Sequence, residues 1–216
     1  MKVYHHYNND HLPNSAEIIV PYIMELLSPT SVIDIGCGLG QWLYVFKQNG
    51  VNKILGVDGK HVPKEKIMLK ADEFFEFDLN NCENFSSQNK FNLAISLEVA
   101  EHLIEDKAHS FINMLTQLSN IIIFSAAIPG QMGENHFNEQ FPQYWINLFA
   151  NKGYSVLDPF RKKYWNSNVN WWYTQNMYLF IKNDISINLQ KYIWDENVYI
   201  HPKLFEIYKK QQSQTK

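Results

Sequence analysis

The residue types best suited to chemistry stand together near the middle of the chain, at Glu98, Glu101 and His102. Their spacing of i, i+3 and i+4 would place all three side chains on one face of a helix that begins near Glu98. Carboxylate oxygens with an imidazole nitrogen suit a divalent cation such as Mg²⁺ or Mn²⁺. The alternative needs no metal, because glutamate in a first helical turn is favoured by the helix dipole alone. The spacing leaves both interpretations open.

His136 is the next candidate, in a loop over residues 127–140 that is rich in hydrogen-bonding groups. A neutral histidine is the usual base for a hydroxyl proton at physiological pH, and His136 suits that role. It would otherwise complete a metal site with Glu98, Glu101 and His102, and the metal would acidify the hydroxyl instead. A purely structural histidine is the third interpretation.

Seven apolar runs predict the sheet that must position these side chains. They are rich in β-branched and aromatic residues and cover 32–35, 54–58, 74–79, 91–97, 121–127, 154–157 and 175–181. The fourth run delivers Glu98 at its carboxyl end, which is the edge where open α/β sheets bind ligands. Helical periodicity predicts a packing helix over 15–27 and a covering helix over 199–212.

The first run leads into a glycine-rich turn. Gly36, Gly38 and Gly40 have the spacing G-x-G-x-G, and the apolar pattern after them predicts a helix that opens at Leu39. Glycine takes positive φ readily and lets a ligand approach the backbone, while a helix start offers unpaired N–H groups. Dinucleotide sites use G-x-G-x-x-G instead, so the turn is not expected to hold a pyrophosphate.

The second anchor is Asp58, at the end of the second run, where a doubly wound fold places the acid that accepts from ribose hydroxyls. The segment from Asp34 to Gly40, together with Asp58, resembles the first two motifs of the class I S-adenosylmethionine (SAM)-dependent methyltransferases. The resemblance implies a Rossmann-like α/β fold with a seven-stranded, mostly parallel sheet, an antiparallel last strand and helices on both faces. It also implies SAM as the cofactor, bound through Asp34, Gly36, Cys37, Gly38, Gly40, Trp42, Asp58, Asp78, Leu79 and Leu97. For Asp78, an ordinary turn-opening aspartate is the alternative.

Two narrower resemblances concern the acceptor side. The Glu-x-x-Glu-His pattern is similar to the metal motif of small-RNA 2′-O-methyltransferases and of some quinone-biosynthesis O-methyltransferases. The stretch from Asn135 to Gln140 resembles methyltransferase domains of glycan biosynthesis, in which the matching histidine is a candidate base and the asparagine and glutamate residues bind sugar hydroxyls. We therefore expect catalytic roles for Glu98, His102 and His136, and acceptor binding by Asn135, Asn138, Glu139, Trp171 and Trp172.

The aromatic-rich connection over 160–174 contributes Trp171 and Trp172. Such rings stack on the C–H faces of sugars while neighbouring asparagines read hydroxyls, although they equally suit core filling. Arg161, the only arginine, would either hold an anionic group or form an ordinary surface ion pair.

Bulk composition limits the class of protein. A chain of 216 residues with 45% hydrophobic content suits one domain, with residues 1–13 as an N-terminal arm. The formal net charge of −3 gives no basic footprint for nucleic acid. Two cysteines without an apolar leader predict a cytoplasmic protein, and no run approaches the ~20 apolar residues of a membrane span.

The combined expectation is a SAM-dependent O-methyltransferase that acts on a sugar hydroxyl in glycan or polysaccharide biosynthesis. An RNA 2′-O-methyltransferase, a quinone or phenol O-methyltransferase and a non-catalytic SAM-binding module are the alternatives. The sequence does not indicate the oligomeric state.

Overall fold

The computed structural model describes residues 14–87 and 89–214, and its centre is a seven-stranded sheet. The strands are β1 (Ser31–Ile35), β2 (Lys53–Asp58), β3 (Phe74–Glu76), β4 (Leu93–Leu97), β5 (Ile121–Ser125), β6 (Tyr154–Leu157) and β7 (Tyr178–Lys182). Their order is β3-β2-β1-β4-β5-β7-β6, and β7 alone runs antiparallel to its neighbours β5 and β6. The predicted Rossmann-like sheet with an antiparallel last strand is confirmed. The predicted arm over residues 1–13 lies outside the described residues.

Helices cover both faces of the sheet, because successive residues of each strand point to opposite faces. The helices are α1 (Asn14–Leu27), α2 (Gln41–Gln48), α3 (Ala108–Leu118), α4 (Pro142–Ala150), α5 (Arg161–Tyr164), α6 (Trp171–Asn176) and α7 (Pro202–Gln214). Val32 packs in one core with residues of α1 and α2, whereas Ile33 and Ile35 pack in the other with residues of α3 and α4. All five residues of β1 and of β4 are buried, as expected for strands covered on both sides.

Several element boundaries differ from the predictions. The helix after the glycine turn begins at Gln41 rather than Leu39, because Gly40 has φ 82° and serves as the N-cap. β3 ends at Glu76 and β4 begins at Leu93, so both strands are shorter than their apolar runs. The seventh strand begins at Tyr178, because the residues before it form α6.

The helix predicted to begin near Glu98 does not form. Glu98 itself has φ 56°, in the left-handed region, and is followed by a 3₁₀ turn over Ala100–His102. The α-helix α3 starts later, at Ala108. The prediction that three side chains project from one helical face is therefore wrong, since the backbone changes direction between Glu98 and the turn.

Across residues 14–87 and 89–214, none of the helices has the length and apolar character needed to cross a membrane.

Candidate active site

The turn between β1 and α2 carries the residues predicted to approach the cofactor. The Gly36 N–H donates to the Val57 carbonyl at 2.8 Å, which ties the turn to β2. The Asp58 carboxylate accepts from the N–H groups of Gly38, at 2.7 Å, and Gly59, at 2.6 Å. Burial raises the pKa of Asp58, and these two N–H groups oppose that shift. The structure therefore places the Asp58 carboxylate against the glycine turn.

Close packing also requires glycine in this turn. Gly36 and Gly40 have φ of 81° and 82°. A Cβ on Gly36 would lie 2.4 Å from Cγ2 of Val99, and one on Gly40 would lie 2.5 Å from Cγ of Leu69. Cys37 is buried beside them, and burial raises the pKa of its thiol, which suits packing rather than nucleophilic chemistry.

The other residues predicted for the cofactor divide into two groups. The buried ones are Asp34, Trp42, Leu79 and Leu97. Asp78 is exposed instead, and it caps a 3₁₀ turn by accepting from the Asn80 N–H at 3.0 Å. Its side chain thus performs the turn-opening task that was the alternative to adenine recognition.

A group of three candidate metal ligands lies at the carboxyl edge of β4 and β5. Glu101, His102 and His136 each present a ligand atom within 4.8 Å of the others. Glu101 is 0% exposed, and neither of its carboxylate oxygens has a hydrogen-bond partner among the described residues. Burial, and next the charge of Glu98, raise the pKa of Glu101 well above its ordinary value. The nearby N–H groups of Glu101 and Ala127 oppose this shift but lack hydrogen-bond geometry to the carboxylate.

Neighbouring groups orient the two imidazoles. The rings of His102 and His136 meet edge to face with centroids 4.8 Å apart. Nδ1 of His102 lies 3.2 Å from the Asn135 carbonyl, and burial, followed by the nearby His136, lowers its pKa to about 4. Nδ1 of His136 lies 2.8 Å from Oε1 of Glu139. Since a carbonyl only accepts, His102 carries its proton on Nδ1 and is neutral at physiological pH, the form that binds metals.

Glu98 has different surroundings, although it is close in sequence. Its carboxylate accepts from Nε2 of Gln131 at 2.7 Å and from Nδ2 of Asn176 at 3.1 and 3.3 Å. Its own N–H donates to Oγ and to the carbonyl oxygen of Ser125, both at 3.0 Å. Burial raises the pKa of Glu98 to about 7. Glu98 is not a member of the group formed by Glu101 and the two histidines.

Comparison with known proteins identifies the family. The family model described as a methyltransferase domain matches residues 9–171. The chain belongs to this family. The prediction of a SAM-dependent methyltransferase domain is thereby confirmed, whereas nothing in the match concerns a sugar acceptor.

Relatives and solved structures agree with this assignment. Over 106 residues the chain is 28% identical to the mitochondrial ubiquinone biosynthesis O-methyltransferase of Dictyostelium discoideum, a region that covers 43% of this chain and 32% of that protein. The chain thus matches about a third of that relative's length. The methyltransferase domain of bacterial CtHen1-C shares the fold with a TM-score of 0.58 at 20% identity, covering 79% of this chain and 99% of that one.

The magnesium protoporphyrin IX methyltransferase of Synechocystis, solved with bound SAH, has a TM-score of 0.56 at 16% identity and covers 79% of this chain and 83% of that one. At such low identity these likenesses establish the shared fold alone.

Three residues predicted to bind the acceptor lie in the loop after β5, and each of them has a hydrogen bond within the protein. Nδ2 of Asn138 is buried without a partner among the described residues. Asn135 has φ 58° and offers its carbonyl to His102. Asn138 is 2% exposed, and its Oδ1 accepts from Gln140 at 2.9 Å. Glu139 braces the loop, because it accepts from two backbone N–H groups as well as facing His136. The Glu139 side chain thus fixes the conformation of this loop next to His136.

The aromatic connection also differs in part from its predicted role. Trp171 and Trp172 are half-buried in α6 and meet edge to face at 5.8 Å. Arg161 neither forms a surface ion pair nor offers an exposed anion site, because it is 0% exposed. It donates to Asp158 from Nε at 3.0 Å and from Nη2 at 2.8 Å, and its guanidinium stacks 4.3 Å from the Tyr178 ring centroid. The only arginine of the chain is thus part of the core.

The residues that sequence reasoning missed are the carboxamides around Glu98. Gln131 was part of a loop rich in polar groups, whereas Gln175 and Asn176 were assigned to a buried strand. All three are at most 6% exposed. The one available signal was the pair of amides at the start of an otherwise apolar run, which a fully buried strand would not tolerate without partners.

Proposed function

We propose that this methyltransferase transfers the methyl group of SAM to a hydroxyl oxygen of a small-molecule acceptor, beside a divalent cation held by Glu101, His102 and His136. The observation that carries the cation is the fully buried Glu101 carboxylate without hydrogen-bond partners among the described residues. Burying an unpaired carboxylate costs on the order of several kcal/mol. A bound cation would offset this cost. Two imidazoles beside one carboxylate form a donor set that suits such an ion.

The residues around the cation group support this arrangement. When bound, the cation would lower the pKa of the acceptor hydroxyl and so assist its deprotonation. Glu139 holds Nδ1 of His136, and the Asn135 carbonyl holds Nδ1 of His102, which is the way metal-binding imidazoles are usually fixed. Mg²⁺ and Mn²⁺ are the ions we favour.

A metal-free version of the same reaction uses His136 as the base. Glu139 would keep the His136 proton on Nδ1, so that Nε2 accepts the hydroxyl proton as the methyl group is transferred. In either version positioning supplies much of the rate, since the SAM sulfonium is already reactive and needs an in-line oxygen about 3 Å from the methyl carbon.

For the acceptor we favour a sugar in glycan or polysaccharide biosynthesis. The half-buried Trp171 and Trp172 on α6 support this choice, because exposed ring faces stack on sugars. In this proposal residues 1–216 form one domain, and residues 127–140 and 160–174 are its acceptor-side segments. A phenol or quinol is the second candidate, and the 28% identity to a ubiquinone biosynthesis O-methyltransferase favours it.

Calorimetry with SAM, followed by S-adenosylhomocysteine release from a panel of methyl glycosides and catechols, tests the proposal. Each reaction is run with EDTA and again with added Mn²⁺ or Mg²⁺. Turnover that is lost in EDTA and restored by the ion supports the cation. Turnover that ignores EDTA and disappears in His136→Ala assigns His136 as the base. Failure to bind SAM overturns the proposed function altogether.

A further inference from the structure

Three amide side chains, those of Gln131, Gln175 and Asn176, form a polar network with the Glu98 carboxylate. Nδ2 of Asn176 donates to Glu98 and also, at 2.8 Å, to Oε1 of Gln131. Nε2 of Gln175 donates to that same Gln131 oxygen at 3.3 Å and to Oδ1 of Asn176 at 3.1 Å. Oε1 of Gln175 accepts from the His201 N–H at 2.7 Å. The network therefore fixes the Glu98 carboxylate and links it to the residue that precedes α7.

The network belongs to the acceptor side of the methyltransferase. Gln131 lies in the loop after β5, and Gln175 and Asn176 end α6. None of these amides comes from the glycine turn between β1 and α2, which carries the candidate SAM residues. The carboxylate of Glu98 is thus held by the segments proposed to contact the acceptor.

The geometry leaves Glu98 able to bind a ligand. Glu98 is half-buried, whereas its partners Gln131 and Asn176 are buried. An ionised carboxylate has about four acceptor positions. Gln131, Asn176 and the Ser125 hydroxyl occupy three of them, because the second N–H of the Asn176 amide donates to Gln131. The left-handed backbone at Glu98, φ 56°, is an unfavourable conformation for a residue with a side chain, and such strain persists where the surroundings impose it.

We infer that Gln131 and Asn176 hold Glu98 apart from the cation group, as a binding residue for a second hydroxyl of the acceptor, next to the hydroxyl that is methylated. This inference rests on the proposed transfer to a hydroxyl acceptor, but not on that acceptor being a sugar. It makes Gln131 and Asn176 positioning residues, since they act through Glu98. A hydroxyl group suits the position because it donates to a carboxylate whose other neighbours are already amide donors.

The test uses two variants that keep side-chain volume. Asn176→Asp replaces the amide donor with a second carboxylate, and Gln131→Met removes the other donor. Gln143→Met is the matched control, because Gln143 is exposed on α4 and its amide donates to Asn147. For each protein we would measure the acceptor KM and kcat, the Kd for SAM and the Kd for Mn²⁺, with the acceptor that the panel identifies.

In the two variants, we expect the acceptor KM to rise about 10-fold, the effect of one lost hydrogen bond, with both Kd values within twofold of wild type. A parallel loss of Mn²⁺ affinity would make Glu98 a cation ligand and overturn the inference, as would a lower SAM affinity or an unchanged acceptor KM.

Wild-type protein alone allows a first test, because among acceptor analogues that each lack one hydroxyl, one should have a KM raised about 10-fold. In the folded Asn176→Asp variant this difference between analogues should vanish. Equal KM values for every analogue would contradict the inference. If wild type releases no S-adenosylhomocysteine with any acceptor, the proposed function fails, and the Mn²⁺ titration of Asn176→Asp still decides whether Glu98 is a ligand.

Discussion

Glu98 and Glu101 are the same residue type, three positions apart, but their surroundings are opposite. Both carboxylate oxygens of Glu98 accept from the amides of Gln131 and Asn176. Neither oxygen of Glu101 has a partner among the described residues, and two imidazoles lie beside it. A carboxylate that already accepts from amide donors and keeps an open acceptor position can bind one more neutral donor, whereas one that is buried without any donor is stabilised by a cation.

The comparison shows that a motif does not assign a common role to its acidic residues. Glu-x-x-Glu-His suggests a single ligand set when it is placed on a helix. The left-handed backbone at Glu98 instead turns its side chain toward β5 and α6, while the following 3₁₀ turn directs Glu101 toward the histidines. The change of backbone direction between the two residues separates their chemistry.

The largest difference should appear when each acid is replaced by methionine. Glu101→Met should weaken Mn²⁺ binding by at least ~100-fold, because even residues that only hydrogen-bond to metal ligands contribute about 10–100-fold to metal affinity. Without metal it should unfold with a free energy about 1–2 kcal/mol higher than wild type, since an unpaired buried carboxylate is removed. Urea unfolding in EDTA and Mn²⁺ calorimetry measure the two effects.

Glu98→Met is the matched variant, and its stability should change in the other direction. It leaves the buried amide donors of Gln131 and Asn176 without their acceptor, which should lower the free energy of unfolding by about 1–3 kcal/mol. An equal loss of stability in both variants would show that the two carboxylates have similar environments, and would contradict the predicted difference between them.

A smaller effect should follow from adding one methyl group beside the cation group. A Cβ at Gly133 would lie 2.2 Å from Nε2 of His136, so Gly133→Ala must displace that ring. We expect kcat to fall about 10- to 100-fold, because a displacement of about 1 Å of a group in the active site can lower the rate by that factor. SAM affinity should not change, because the glycine turn that carries the candidate SAM residues is a separate segment.

Gly153→Ala controls for the loss of a glycine in general. Gly153 has φ 77°, but a Cβ added there would meet no atom of the described residues within 4 Å beyond its own chain neighbours. Its replacement should therefore lower the free energy of unfolding by about 1 kcal/mol and leave kcat unchanged.

An unchanged kcat in Gly133→Ala would contradict a role for His136 in either version of the proposed reaction.

The sequence predicted those parts of the molecule that depend on local patterns. Apolar runs predict β1, β4 and β5, and the glycine spacing predicts the turn between β1 and α2. The partners of Glu98 were beyond this reasoning, because Gln131 and Asn176 lie 33 and 78 positions away along the chain. Only the antiparallel insertion of β7 beside β5 brings the end of α6 to Glu98.

The stability of the protein should also depend on pH in the absence of cations. Burial raises the pKa of Glu98 from 4.5 to about 7, so the folded state binds more protons than the unfolded state between these values. The difference in unfolding free energy between wild type and Glu98→Gln should therefore fall as pH rises from 4.5 to 7.

His102 should contribute with the opposite sign, because its pKa is lowered from 6.5 to about 4. Between these values the unfolded state binds more protons, so the difference between wild type and His102→Asn should rise with pH and level off above 6.5. Urea unfolding at half-unit steps from pH 4 to pH 7.5 measures both differences. Two profiles that slope the same way would mean that Glu98 is solvated like an ordinary surface acid, and the amide network would then be too loose to hold it apart from Glu101.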